Sequence, residues 1–215
     1  IVLMIAGFGL MQGTAVLTAQ TVGAGERKQI GIIFRAALGL GFWVGLAFSL
    51  SAFFAADIFR LFGQSEEMIA NAVPLTYLYA PGLLAMMVFV AITNTLDALG
   101  RPRIAMWLTL IIVILNVGLD YLFVFGAGPI PPMGAEGAVL TTTILRVLIT
   151  IAGFIGLIIV AREMEIDLWL KKAPTQSSVI PRLLKIGTPL FLVQGFDVGA
   201  FRMIAFMAAT IGPLH

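Results

Sequence analysis

Long apolar stretches separated by short polar turns are the dominant pattern along the chain. Each stretch is close to the roughly 20 residues that an α-helix needs to cross a bilayer. Because these stretches are too long for barrel strands, and backbone groups in lipid must be hydrogen-bonded internally, the pattern predicts membrane helices. The six stretches run approximately from Ile1 to Val22, Ile32 to Ala55, Met68 to Leu96, Ile104 to Phe125, Gly137 to Val160 and Leu184 to Ile211.

Composition points the same way. Of the 215 residues, 60% are hydrophobic and 11% are charged, whereas a typical soluble domain has roughly 25% charged residues. So few polar side chains cannot cover a globular surface, and much of the surface must therefore face lipid. The expected fold class is all-α, a polytopic transmembrane helical bundle with six membrane helices.

Two residue types that serve many enzymes are almost missing. The chain has no cysteine, and its one histidine is His215. This excludes disulfides and Cys-based zinc sites, and it leaves a Ser/His triad nothing to build on. No polar cluster suited to an integral-membrane enzyme is apparent. We expect no enzymatic activity, no cofactor and no nucleic-acid partner.

Basic residues are unevenly divided between the two ends of the predicted helices. One end contains loops 23–31, 97–103 and 162–185, whereas the opposite end has Arg60 alone. Loops rich in Lys and Arg stay in the cytoplasm, so these three loops are predicted to face the cytoplasm of a bacterial inner membrane. The basic residues at that end are Arg27, Lys28, Arg35, Arg101, Arg103, Arg162, Lys171, Lys172, Arg182 and Lys185.

The predicted orientation places the start of the first run on the outer side. We therefore expect at least one further helix before it and interpret the chain as a fragment. The long loop 162–185 is charged and contains Pro174, which is typical of a cytoplasmic linker between two helical bundles. Its apolar patch 166–170 is predicted at the membrane interface, and a plain solvated connector is the alternative.

Four charged residues lie inside the apolar runs: Asp120, Arg146, Asp197 and Arg202. A charge at mid-bilayer costs on the order of 2.5–3.5 kcal/mol, so it usually faces the bundle interior and is paired or functional. Asn116 precedes Asp120 by one turn and shares its face, a pair that could hold a cation or a proton. The alternative is a salt bridge between Asp120 and Arg146.

Asp197 lies near the middle of the last run, after Gly187 and Pro189. These residues favour a bent or unwound helix whose free carbonyls could share in cation binding. Structural pairing is the alternative. Arg146 and Arg202 are interpreted as charge balance rather than as ligand sites.

Weaker candidates are uncharged. Thr142, Gln20 and Gln194 could line a substrate pathway, although packing or bonding to their own backbone would explain them equally well. The pairs Gly9/Gly13 and Gly41/Gly45 have the G-x-x-x-G spacing that permits close helix approach.

Four stretches in sequence resemble a known family, the multidrug and toxic compound extrusion (MATE) transporters. They are Thr18-Ala19-Gln20 with Gly23-Ala24-Gly25-Glu26; Leu96-Asp97-Ala98-Leu99-Gly100-Arg101-Pro102; Asn116-Val117-Gly118-Leu119-Asp120-Tyr121 to Gly126, then Gly134-Ala135-Glu136-Gly137-Ala138 and Thr142; and Gly187 and Pro189 with Asp197. Many members have Arg at the position of Asp97.

The resemblance implies a twelve-helix protein of two six-helix lobes, of which this chain would supply helices two to seven. Residues 1–161 would belong to the N-terminal lobe, 162–183 to a cytoplasmic linker and 184–215 to the first helix of the C-terminal lobe. A helix-one Asp that completes the N-lobe site is not in this chain.

The resemblance also implies a secondary antiporter, monomeric at full length, that exports cationic or amphipathic compounds in exchange for Na+ or H+. Asn116, Asp120 and Thr142 would face the N-lobe cavity, and Asp197 would belong to the C-lobe cation site. No metal is expected beyond Na+ at Asp120 or Asp197. The alternative is a lipid-linked oligosaccharide flippase, which would need a strongly basic central cavity.

Overall fold

The computed structural model describes residues 2–126, 131–169 and 179–211, and every regular element within them is helical. This confirms the all-α prediction. A 3₁₀ turn, Ala52–Phe54, joins the second helix to the third. The α-helices are α1 (Val2–Gly23), α2 (Arg27–Ser51), α3 (Ala55–Leu61), α4 (Glu66–Ala98), α5 (Pro102–Phe125), α6 (Ala135–Glu163) and α7 (Val179–Ile211).

Each of the six apolar runs corresponds to one long helix, with ends displaced by a few residues. The second run differs most, because regular α2 ends at Ser51 and the chain continues through the 3₁₀ turn into the short α3. The hydroxyl of Ser51 donates to the carbonyl oxygen of Phe48 at 2.7 Å. Such bonding to the preceding turn competes with regular helix, which accounts for the break.

Within the described residues, five helical stretches are long and apolar enough to cross a membrane. α1, with 22 residues, is the sixth long helix. No residue of α5 is buried, and large apolar side chains such as Trp107 and Val117 are exposed on it. An apolar surface of this kind suits a helix bordered by lipid. The five stretches are Arg27–Leu61, Glu66–Ala98, Pro102–Phe125, Ala135–Glu163 and Val179–Asp197.

The helix α4 is the centre of the bundle and packs against α1, α2 and α6, while α5 packs mainly on α6 and α7 mainly on α1. Two apolar clusters form the core. The first, around Phe34, Ile92 and Leu157, joins α2, α4 and α6. The second, around Met11 and Met87, joins α1, α2 and α4. These contacts fix the relative positions of α4 and α6, on which the polar site described below depends.

Glycines allow the closest helix approaches. A Cβ on Gly9 would lie 2.6 Å from the carbonyl oxygen of Leu190, and Gly13 is equally close to the backbone of α7. Gly41 and Gly45 stand in the same relation to the backbone of α4. Both predicted G-x-x-x-G pairs are thus confirmed as sites of close packing.

The three loops predicted to share one side meet at one end of the bundle, called here the basic end. Arg27 donates from Nη1 to the carbonyl oxygen of Met164 at 3.4 Å, and Arg101 forms an ion pair with Glu163. At the opposite end, Arg60 forms exposed ion pairs with two nearby carboxylates. The described basic residues of these loops therefore lie at one end of the bundle, and Arg60 lies at the other, as the loop pattern predicts.

The segment after α6 folds back onto the core. Ile166 and Leu168 are buried in the first apolar cluster, and the ring of Trp169 meets Phe154 edge-on with centroids 6.3 Å apart. This part is therefore not a plain solvated connector. Residues 170–178 of the predicted linker lie outside the described residues.

Replacing Gly9 by alanine should destabilise the contact between α1 and α7. The added methyl group would meet the backbone at Leu190, which cannot yield unless the helix shifts, and overpacking of this kind costs about 1–3 kcal/mol. Thermal unfolding of the purified protein in detergent measures the effect.

The control for this substitution is Gly195→Ala in α7, where nothing lies within 4 Å of an added Cβ. Alanine favours helix over glycine, so this variant should be neutral or slightly more stable. An equal loss of stability in both variants would contradict the packing explanation.

Candidate functional site

A cleft lies between α4, α5 and α6 near the midpoints of all three helices. Its volume is about 310 Å³, at the lower end of the roughly 300–1,000 Å³ range of small-molecule sites. Its walls are mostly apolar with a few polar groups. The lining residues are Met86, Phe89, Thr109, Ile112, Val113, Asn116, Thr142, Leu145, Arg146 and Ile149.

Two of the predicted site residues, Asn116 on α5 and Thr142 on α6, are brought together in this cleft. The two helices are antiparallel and approach closely at their shared end, where a Cβ on Gly137 would lie 2.5 Å from the carbonyl oxygen of Phe123. The hydroxyl of Thr142 donates to the carbonyl of Ala138 at 2.9 Å. Its oxygen therefore still has a lone pair with which to accept a bond or to contact a cation.

Arg146 is the charged residue of the cleft, and it is held by an aromatic partner. Its Nη2 donates to the hydroxyl of Tyr79 on α4 at 2.6 Å, and its guanidinium carbon lies 4.3 Å from the centre of the same ring. Sequence reasoning missed Tyr79, which is 67 residues away along the chain. The only sequence signal was Arg146 itself, a charge inside an apolar run.

Asp120 lies one turn beyond Asn116, outside the lining of the cleft. Its Oδ1 is buried and accepts no hydrogen bond within the described part of the chain. The alternative interpretation, a salt bridge between Asp120 and Arg146, is wrong, because none of the ion pairs among the described residues joins them. Charge balance of Arg146 by another residue stays a prediction.

The other candidates lie elsewhere. Gln20 lines a second cleft of about 190 Å³ near the basic end. Gln194 and Asp197 lie on α7 and line neither cleft, and Asp197 is exposed. The side chain of Arg202 is outside the described part.

Within the described residues there is no group of three or more His, Cys, Asp or Glu that could hold a metal ion. Among the described residues, a Na+ ion near Asp120 would find one carboxylate together with neutral oxygens. The side-chain oxygens of Asn116 and Thr142 are suitable donors, since hard cations prefer oxygen ligands.

The comparisons agree with this architecture. The MatE family model matches residues 1–122. The chain is 26% identical to a probable multidrug resistance protein NorM of Acinetobacter baylyi, with 94% of this chain and 45% of the relative covered. It is 28% identical to a protein of the same description from Bradyrhizobium diazoefficiens, with 95% and 44% covered. The chain thus spans about half the length of these curated relatives.

Solved structures show the same fold. The inward-facing conformation of a multidrug resistance MATE family transporter superposes with a TM-score of 0.79 at 21% identity, covering 90% of this chain and 43% of that one. A eukaryotic MATE transporter gives a TM-score of 0.80 at 17% identity, covering 95% and 44%.

Removing the hydroxyl of Tyr79 should destabilise the bundle. In Tyr79→Phe the ring remains beneath the guanidinium, but Nη2 of Arg146 loses its oxygen acceptor and keeps only the weak sulfur acceptor of Met4 at 4.0 Å. Such a loss costs about 1–3 kcal/mol. Thermal or denaturant unfolding of the purified protein measures it.

Tyr77→Phe is the matched control, because Tyr77 lies two residues away on the same helix and is 44% exposed. It should unfold as the parent protein does. The assignment of Tyr79 as the anchor of Arg146 fails if the two substitutions have equal effects.

Proposed function

Because the chain belongs to the MatE family, we propose that the full-length protein is a secondary antiporter that exports cationic or amphipathic compounds in exchange for Na+ or H+. The observation that supports this most is Asp120. It is a carboxylate on a membrane helix, with Oδ1 buried and without a bond inside the described chain. Asn116 lies one turn away. A cation or a proton would satisfy that oxygen.

Export would depend on two binding events, that of the coupling ion at Asp120 and that of the compound in the cleft, each of which changes the affinity of the other. When Asp120 binds the coupling ion, the charge beside the cleft changes, and so does its affinity for a cationic compound. By linkage, the compound alters the affinity for the ion by the same factor. Asp197 on α7 would serve the corresponding role in the second lobe.

The lobes would divide the chain at residues 1–161 and 184–215, joined by the linker 162–183. α1 and α7 would then meet across the lobe boundary, where Gly9 and Gly13 bring the backbones together. Beside these glycines, Met11 of α1 and Leu183 of α7 are buried in one apolar cluster, so the proposed lobe boundary is closely packed.

The basic end would face the cytoplasm, in keeping with the excess of Lys and Arg in its loops. A bacterial inner membrane is the proposed location. A lipid-linked oligosaccharide flippase is less well supported, since the cleft contains one basic residue, Arg146, and not a strongly basic lining.

The Asp120→Asn variant of the full-length protein should lose export of a cationic dye. The amide keeps the size of the side chain, but near neutral pH it takes up no proton, and it offers no negative charge to Na+. The gradient-driven rate of dye efflux should therefore fall by about tenfold. Dye efflux from vesicles under imposed Na+ or H+ gradients, at matched protein levels, measures it.

Asp97→Asn is the control for this experiment. It removes the same charge from an exposed position at the basic end, so efflux should be unchanged. Efflux at the parent rate in Asp120→Asn would rule out Asp120 as the coupling residue.

A further inference from the structure

Arg146 is positioned at mid-membrane depth without an acidic partner. None of the ion pairs among the described residues involves it, and its Nη1 is buried with no hydrogen bond in that part of the chain. An arginine at this depth costs roughly 2.5–3.5 kcal/mol to insert. Among the described residues, no acidic side chain neutralises this charge.

The surroundings of Arg146 hold its position. Nη2 is bound to the Tyr79 hydroxyl, and the guanidinium lies over the Tyr79 ring. The side chain crosses α4 at Gly82, where an added Cβ would come within 3.2 Å of its Cδ. One edge of the guanidinium is thus anchored to α4, while Nη1 has no partner.

The rest of the cleft offers few competing groups. The hydroxyls of Thr109 and Thr142 already donate to carbonyl oxygens of their own helices at 2.9 Å. The donors that are left on the lining are therefore Arg146 and the side-chain amide of Asn116. The other lining residues are apolar.

We propose that this cleft binds the carboxylate or sulfonate group of an apolar organic compound at Arg146, with the amide of Asn116 as a second donor. Nη1, which has no hydrogen-bond partner among the described residues, would donate to the bound anion. The apolar body packs on Phe89, Leu145 and Ile149. A charge-assisted hydrogen bond of this kind is roughly twice as strong as a neutral one.

This inference deepens the proposed function, on which it rests for the direction of transport. It adds compounds with an anionic group to the cationic ones proposed above. Binding alone tests it, without an ion gradient. A failure here therefore leaves cation-coupled export standing, and a failure of coupled export leaves this binding result standing.

The test uses the full-length protein in lipid nanodiscs and three probes of nearly equal shape: 2-naphthoate, the uncharged 2-naphthamide and the cation 2-naphthylmethylammonium. Equilibrium binding of each is corrected with empty nanodiscs. We expect 2-naphthoate to bind about tenfold or more tightly than 2-naphthamide, and Arg146→Gln to abolish that difference.

Arg103→Gln is the matched control, since it removes one positive charge from an exposed position at the basic end and should leave the preference for 2-naphthoate intact. Arg146→Lys keeps the charge but cannot bind Tyr79 and an anion with one planar fork. Arg146→Lys should still bind 2-naphthoate more tightly than 2-naphthamide, but with weaker affinity than the parent protein. If Arg146→Gln does not fold, this weaker affinity is the result that tests the proposal.

Equal binding of 2-naphthoate and 2-naphthamide by the parent protein would overturn the proposal, because it would mean that Arg146 is neutralised by some other part of the full-length protein. An undiminished preference in Arg146→Gln or an equal loss in Arg103→Gln would overturn it as well.

Discussion

Hydrocarbon offers no hydrogen bonds, so the polar groups inside this bundle must be satisfied by the protein itself. The contact between α4 and α6 shows how. Pro81 interrupts the backbone bonding of α4, and the hydroxyl of Thr143 on α6 donates to the nearby carbonyl of Leu78 at 2.8 Å. Two turns further on, the hydroxyl of Thr150 shares its proton between the carbonyl of Ala85 on α4 at 2.9 Å and the carbonyl of Arg146 on its own helix at 2.7 Å. These bonds join the two helices on either side of Arg146.

Unsatisfied polar atoms are therefore informative. Oδ1 of Asp120 and Nη1 of Arg146 are both buried and lack partners in the described part of the chain, although their charges are opposite. A protein that only needed stability would pair them. Leaving both available costs stability, and it is in keeping with the uptake of an ion and an organic compound proposed above.

The sequence was sufficient for the helices, because apolar length and internal hydrogen bonding leave no other structure in a membrane. It was sufficient for the two glycine pairs and for the sharing of one cleft by Asn116 and Thr142. The alternative interpretation, a pair of Asp120 with Arg146, was wrong for a geometric reason. Close packing of Gly137 against Phe123 sets the register of α5 and α6.

That register brings Arg146 to the level of Asn116 and leaves Asp120 nearer the end of α5 at which Gly137 packs. Tyr79 could not be predicted as its partner, since nothing in a sequence shows which residue of a distant helix will lie opposite.

The cleft between α4, α5 and α6, with its few polar groups, should be open to solutes at mid-membrane. The chain has no cysteine, so Thr142→Cys in a cysteine-free full-length protein can be labelled with a water-soluble, membrane-impermeant thiol reagent in oriented vesicles. Ile155→Cys, on an exposed apolar face of α6, is the reference. Cysteine at position 142 should be labelled, and an exported compound should protect it. It should react from opposite sides of the membrane as the ion gradient is reversed. Cysteine at position 155 should stay unlabelled. Equal lack of reaction at both positions would contradict an open cleft.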